Sequence, residues 1–384
     1  MQPTVSNTKH LITQVLELTS NGIINKDNRP QLSILLKQIK ECTSPELFKK
    51  VYSTLSFKND WVLCSADYAS LEDRIIALLT QDPAKMQIYT DGYDGHSLRA
   101  YGYYGDQMPL ISEATKLLRG QDTVTLFIHA NGHVQVVDID TPLPDDLVEA
   151  RVETVSKARV LIINSIAIVY EELRGRSKSP TFALAYGGTS FTLIRNLGFS
   201  DEEALQIENS YHVMYEVSDT HAEFLIAEAA FQGFIELAFG LRLRTPTLKA
   251  TDMSQRKVPY QAKSEGRTAN NAASQSYGLL MNRAINATEA RIEASKYVND
   301  ILILNTIHDA VYYLARIDAK VIQFLNKTLI EEMEWNELAP IKSDAIPMTA
   351  QLDIGKSWDK QVTLENNASI EDINNLLTTL EGAM

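Results

Sequence analysis

A chain of 384 residues, 45% of them hydrophobic, is long enough to bury a large core in one large or two intimate units, which excludes the disordered and fibrous classes. Its formal net charge of -13 excludes a free-standing, non-specific nucleic-acid binder, because such affinity rests on neutralising phosphates with Lys and Arg; a nucleic-acid role has to come from particular residues or from a partner chain. Cys42 and Cys64 form neither a CxxC pair nor a His/Cys cluster, which predicts free thiols in a reducing compartment and no structural zinc.

The opening MQPTVSNTKH has no signal-peptide pattern, and the most apolar stretch, VLIINSIAIVY, is too short and polar to span a bilayer, so the expectation is a soluble, cytoplasmic protein without a membrane partner. Residues 1–58 read as helical from the spacing of Leu11, Ile12, Val15 and Leu16 and from Ser44-Pro45 at a helix start. DWVLCSADYASLEDRIIALLTQD then switches from a short apolar strand ending at Asp67 to a helix with Leu71, Ile75, Leu78 and Leu79 on one side. Residues 123–140 predict a hairpin with a type I′ turn at Asn131-Gly132, flanked by the solvated histidines His129 and His133. Long helices are expected over 145–198, 201–238 and 267–297. The run ILILNTIHDAVYYLA, 301–315, is of strand type but broken by His308 and Asp309. The tail ASIEDINNLLTTLEGAM predicts a short amphipathic helix capped by Ser369 and Asp372, packed on its own body or docking a partner.

Asp67 and Asp309 each end or interrupt an apolar strand, and two such strands side by side bring both carboxylates to one point. Paired carboxylates without His or Cys select hard cations such as magnesium, which points to phosphoryl or nucleotidyl transfer. Arg174, Lys178, Phe182 and Tyr186 fall at intervals of four, which on a helix makes one stripe of two cations and then two rings. That order suits a triphosphate followed by a base, or else a snorkelling surface stripe above a core aromatic pair.

DYASLEDRI resembles the first palm motif of the family A DNA polymerases, the bacterial DNA polymerase I group and its phage relatives. RGRSKSPTFALAYGG resembles their fingers helix and TIHDAV their second palm motif; RTANNAASQS and DGH at Asp94–His96 are similar to two further elements in the family's order. The match runs from about Trp61 to IGKSWDK at 354–360, omitting the hairpin region. The resemblance implies an α/β right-hand polymerase lacking its thumb, with a small antiparallel palm sheet and a helical fingers subdomain. It implies that Asp67 and Asp309 hold two Mg2+ ions with help from the Tyr68 carbonyl, and that His308 lies against the primer terminus. Arg174, Lys178 and His96 would bind the triphosphate, with Lys178 also protonating the leaving pyrophosphate. Phe182 would face the sugar and Tyr186 the nascent base pair, while Glu72 would exclude a ribose 2′ hydroxyl, so that the substrates are deoxynucleoside triphosphates. Arg267, Asn271 and Gln275 would contact primer-template DNA.

The sequence departs from the family at Ala310, where a second carboxylate is usual, and at Pro180, which is expected to kink the fingers helix. The segment before Asp67 is too short for a thumb, so the expected arrangement is the catalytic part of a split, phage-type polymerase, in the host cytoplasm if phage-encoded. A second chain would supply the thumb and an exonuclease; Asp201–Glu203 with Tyr215 and Asp219 only superficially resembles an exonuclease. The alternatives are a non-catalytic scaffold in a replication complex and a single-subunit RNA polymerase, the latter opposed by Glu72. The expected domains are an N-terminal helical segment (1–58), palm with the first motif (59–110), an insertion (111–170), fingers (171–262), palm with the second motif (263–364) and the tail (365–384).

Overall fold

A computed structural model describes Gln14, Gln31, Ile34 and Leu35, all helical, and residues 61–382 other than Ile139, Met253, Gln255 and Arg256. The helical reading of 1–58 and the thiol of Cys42 therefore lie outside the described residues, apart from those four positions. In chain order come β1 (Trp61–Tyr68), α1 (Leu71–Thr80), α2 (Pro83–Thr90), α3 (Gly95–Tyr104), α4 (Pro109–Leu117), β2 (Thr123–His129), β3 (Val134–Val137), β4 (Leu147–Thr154), α5 (Val155–Asn164), α6 (Ile166–Val169) and α7 (Glu171–Ala185). These are followed by α8 (Ser190–Leu197), α9 (Asp201–Met214), α10 (Glu216–Gln232), β5 (Phe234–Glu236), β6 (Arg242–Arg244), α11 (Pro246–Ala250) and α12 (Tyr260–Gln275). The last elements are α13 (Leu279–Glu293), β7 (Ile301–Ile307), β8 (Ala310–Arg316), α14 (Ala319–Met333), β9 (Ala350–Ser357), β10 (Lys360–Leu364) and α15 (Ile370–Gly382). Among the described residues no helix is long and apolar enough to cross a membrane.

The chain divides into two units. The palm unit takes the described residues up to Leu71, then Gly278–Glu337 and the chain from Pro347; the fingers unit takes Glu72–Tyr277 and Leu338–Ile346. This division falls after Leu71 and Tyr277, so residues 72–110 and 263–277 go with the fingers.

The palm unit is built on an antiparallel sheet of order β10-β9-β1-β8-β7. β1 is its middle strand, which is why WVLCSADY reads as an almost continuous apolar run rather than an alternating one. Val62, Cys64 and Ala66 share a face with their cross-strand partners Ala315, Tyr313 and Val311, and Ile354 and Leu352 join them from β9. All are buried, and α14 packs against β1, β8 and β9. Each large side chain buried this way contributes about 1.5–3 kcal/mol. Cys64 is a free thiol in this layer, and burial pushes it up to about 12.

The tail helix forms as its caps predict: the Ser369 backbone N–H and hydroxyl donate to Asp372 Oδ2 at 2.9 and 2.7 Å, and the Asp372 N–H donates back to Ser369 Oγ at 3.2 Å. Its stripe is spent on the chain's own body. Ile373 and Leu377 are buried where α15 packs on α14, and Gln323 and Asn326 of α14 donate to the Ala368 and Glu365 carbonyls.

The fingers unit is mainly helical and carries the small sheet β3-β2-β4. The hairpin at 123–137 is present, but its turn is not type I′. Asn131 has negative φ and Gly132 has φ of +82°, with Gly132 N–H bonded to the His129 carbonyl, which is a longer loop closed by a left-handed glycine. Residues 147–154 form the strand β4 instead of beginning a long helix. Its Val148, Ala150 and Val152 alternate with Glu149, Arg151 and Glu153, and this period of two pairs it with β2. The expected boundary between 198 and 201 is present, marked by left-handed Gly198 and the Ser200 cap, but the other expected long helices are likewise segmented: Tyr215 separates α9 from α10, and Ser276–Gly278 separates α12 from α13. The Ser200 hydroxyl accepts from the Glu203 N–H, so this stretch is a helix start, and the Glu203 carboxylate is paired with Arg176 at 2.7 Å.

Candidate active site

In the palm unit, the register of β1 and β8 sets Asp67 opposite Ala310, and Asp309 is the residue just before it, in the two-residue turn closing β7 and β8. His308, the first residue of that turn, has φ of +53°, a left-handed conformation that few residues other than glycine adopt and that two-residue hairpin turns require. The break in the apolar run is therefore a tight hairpin tip that projects Asp309 beside the end of β1.

The two aspartates interact electrostatically. Although Asp67 is exposed at the end of β1, partial desolvation by its surroundings, the charge of Asp309 and that of Asp353 push it up to about 6, against an opposing hydrogen bond from the Tyr68 N–H. Asp353 was not among the residues picked out from the sequence. It faces Ser65 across β1 and β9, two residues along the strand from Asp67 and on the same face. The alternation of LDIG places its carboxylate away from the buried Leu352 and Ile354, and that pattern is the signal that could have found it. Tyr312 shares this face; burial, Asp67 and Asp309 raise its phenol to about 12, and it stacks on Trp358 at 4.1 Å between ring centroids. Tyr68 points to the other face, where its hydroxyl is buried without a hydrogen bond; burial and Asp309 raise it, opposed by Arg283.

In the fingers unit, α7 carries Arg174, Lys178 and Phe182 on one stripe, with Tyr186 as the residue that ends the helix. The helix runs on through Pro180, and no break separates the cations from the rings. Ser177 and Thr181 hydroxyls fold back onto the Arg174 and Ser177 carbonyls on either side of it. Arg174 is paired with Asp94 through its Nε at 2.5 Å. Asp94 also caps α3, accepting from the His96 N–H and from the Ser97 hydroxyl. Although burial opposes it, these bonds hold the Asp94 carboxyl below its usual range. Lys178 has no hydrogen-bond or ion-pair partner among the described residues.

His96 lies beside this stripe, its ring centroid 6.2 Å from that of the half-exposed Phe182. Burial first, and then Arg99, Lys178 and Arg174, push His96 down to about 4, against the opposing Asp94. Near neutral pH it is thus an uncharged hydrogen-bonding group in a cationic setting, not a third cation. Behind it, Asp73 takes Lys85 at 3.0 Å, Arg99 and the Tyr89 hydroxyl at 2.8 Å; both cations are almost fully buried and lie against the Tyr215 ring. Burial alone would raise Asp73, but Arg99 and Lys85 hold it far below the carboxylate range.

The Tyr186 hydroxyl donates to the Glu72 carboxylate, and the Tyr186 carbonyl accepts from Asn271 Nδ2 at 3.2 Å. Gly187 has φ of +73°, and a Cβ there would meet the Arg267 side chain at 3.4 Å. Arg267 and Asn271, four residues apart on α12, are thus gathered at the end of α7, while Gln275, one turn further, is exposed. The expected residues fall into two sets, Asp67, Tyr68, His308 and Asp309 in the palm unit and the remainder in the fingers unit.

Comparison with known proteins agrees with these motifs. The chain is 22% identical to DNA polymerase I of Synechocystis sp. over 357 residues, covering 87% of this chain and 27% of that protein. It is 28% identical to DNA polymerase I of Pseudomonas aeruginosa over 192 residues, covering 49% of this chain and 19% of that one. It therefore spans under a third of the length of either. Among solved structures, the POL domain of Pol1 from M. smegmatis, in complex with DNA primer-template and dNTP, superposes with a TM-score of 0.53 at 20% identity, over 83% of this chain and 43% of that one. The right-hand palm and fingers architecture is thus shared with a polymerase domain. Residues 155–360, more than half of the chain, match the family profile, and the chain belongs to DNA polymerase family A.

Proposed function

We propose that this chain carries out template-directed DNA synthesis, transferring a nucleotide from a deoxynucleoside triphosphate to a primer 3′ hydroxyl. The observation that carries the reading is the juxtaposition of Asp67 and Asp309 at a strand end and a hairpin tip. Among the described residues no group of three His, Cys, Asp or Glu side chains is gathered closely enough to hold a metal, so the fit rests on the two hard carboxylates of Asp67 and Asp309, whose mutual repulsion Mg2+ would relieve. Two such ions, when bound, supply charge for the attacking and leaving oxygens. Asp67 and Asp309 hold that charge in place, and His308 sits at the hairpin tip where the primer terminus would lie.

The fingers residues contribute recognition. Arg174 and Lys178 offset triphosphate charge, Lys178 holds a proton at Nζ for the departing pyrophosphate, and neutral His96 offers a hydrogen bond. Phe182 gives an exposed ring for the sugar, and the half-buried ring of Tyr186 serves the base pair. Arg267, Asn271 and Gln275 contact primer-template DNA, reading groups shared by all base pairs. The net charge of -13 supports a second chain that adds grip on the duplex.

Ala310, set opposite Asp67 where a third carboxylate would sit, favours a second reading as a non-catalytic scaffold. One experiment decides. Primer extension by the purified chain with Mg2+ is expected, and Asp67→Asn or Asp309→Asn should lower its rate at least about a hundredfold while leaving the fold intact. Extension undiminished in both variants, or absent from the native chain with any divalent metal, overturns the catalytic reading.

A further inference from the structure

Helix α10 presents an apolar stripe to solvent. Val217, Phe224 and Phe231 recur every seven residues, which keeps them on one helix face, and the two phenylalanines are 61% and 85% exposed. The opposite face has its own core: Leu225, Ile226 and Ala229 pack with Ile235, Leu248, Ala262 and Ala269. The stripe is therefore not needed to hold the helix on its unit, and an exposed run of aromatic side chains on a soluble surface marks an interaction site.

The flanks say what fits. Glu216 and Glu223 border the stripe on one side and Glu228 on the other, and all three are exposed. Carboxylates beside the rings repel phosphates, which disfavours nucleic acid. A second copy of this chain would set acidic flank against acidic flank, in a molecule of net charge -13. A seven-residue repeat is the spacing at which one helix packs along another.

We propose that α10 is the docking surface for an amphipathic helix of a second protein, apolar at seven-residue spacing and flanked by lysine or arginine. The surface is independent of the nucleotidyl-transfer reading, because none of its residues belongs to the site described above. The side chains of Phe224 and Phe231 are the anchors, and the glutamates set orientation and partner choice.

The test is a fluorescence-anisotropy titration of the full chain with a synthetic three-heptad peptide carrying Leu at the seam and Lys on both flanks. A matched peptide carries Glu on the flanks. The Lys peptide is expected to bind, to lose at least about tenfold in affinity in F224S/F231S, and to weaken as salt rises; the Glu peptide should bind at least about tenfold more weakly. Because both substituted side chains are exposed, the variant should melt like the native chain and keep its primer-extension rate, which separates this result from any failure of the catalytic reading. Failure of the Lys peptide to bind, equal binding to F224S/F231S, or a native dimer in sedimentation that F224S/F231S dissociates would each overturn the proposal.

Discussion

The Tyr186 hydroxyl hydrogen-bonds the Glu72 carboxylate, joining the residue that ends α7 to one in the first turn of α1. A glutamate near the start of a helix has several rotamers open to it, and the phenol selects one. If this carboxylate excludes a ribose 2′ hydroxyl, Glu72→Ala should raise ribonucleotide over deoxynucleotide incorporation on the order of tenfold or more. Tyr186→Phe, which keeps the ring and removes only the anchor, should give a smaller change in the same direction. Single-nucleotide extension with each sugar measures both, and an unchanged ratio in Glu72→Ala would place discrimination elsewhere.

The raised carboxyl of Asp67 has a consequence for stability. With a folded value of about 6 against 3.8 unfolded, the favourable contribution is full below 3.8 and is lost as pH rises through about 6. In metal-free buffer, Asp67→Asn should therefore melt above the native chain at pH 8, with the gap closing as pH falls toward 4. Solvent screening limits the difference to about 1 kcal/mol or less. Added Mg2+ should shrink the gap at pH 8 by stabilising the native carboxylates alone. Thermal melts with EDTA or Mg2+ across that range measure it.

Asp73 is the anion between two nearly buried cations, Lys85 and Arg99. Removing its charge leaves both uncompensated, so Asp73→Asn should destabilise the fingers unit by about 3–5 kcal/mol, measurable by urea unfolding. The double variant Asp73→Leu with Lys85→Met, which removes one charge of each sign, should recover part of that loss.

Arg174 and Lys178 should separate in their effects. Arg174 ties α7 to Asp94 at the cap of α3, so Arg174→Ala should lower both triphosphate affinity and melting temperature. Lys178→Ala should raise the apparent KM for the triphosphate and slow turnover while leaving the melt unchanged. Steady-state kinetics set beside calorimetry distinguish the two.

The strand-ending aspartates, the 123–137 hairpin and the capped tail were legible because each is a local pattern: an apolar run with one acidic break, an Asn-Gly between alternating strands, a serine three residues before an acid. The stripe on α7 was legible for the same reason, and the helix continues through its proline. What stayed hidden was pairing across the chain. Nothing near Arg174 in sequence points to Asp94, and nothing near Asp67 points to Asp353, because only register and helix packing bring them together. β4 was read as helix since its alternation spans only eight residues ahead of a strong helical segment. The division after Leu71 was equally hidden, because it falls at the first residue of a helix and no glycine, proline or polar linker marks it.

The strand order of the palm also constrains how the molecule is made. β1 pairs with β8 and β9, strands that leave the ribosome long after it, whereas the whole stretch from Glu72 to Tyr277 is continuous and its sheets pair within themselves. During synthesis the 72–277 stretch of the fingers unit can pack, ahead of its later segment Leu338–Ile346, while WVLCSADY still waits with both edges unpaired. An apolar strand held open in this way favours slow, non-local assembly and aggregation. Refolding from denaturant should therefore be biphasic, with the helical signal recovered before burial of Cys64, and the slow phase is the step at which yield would be lost.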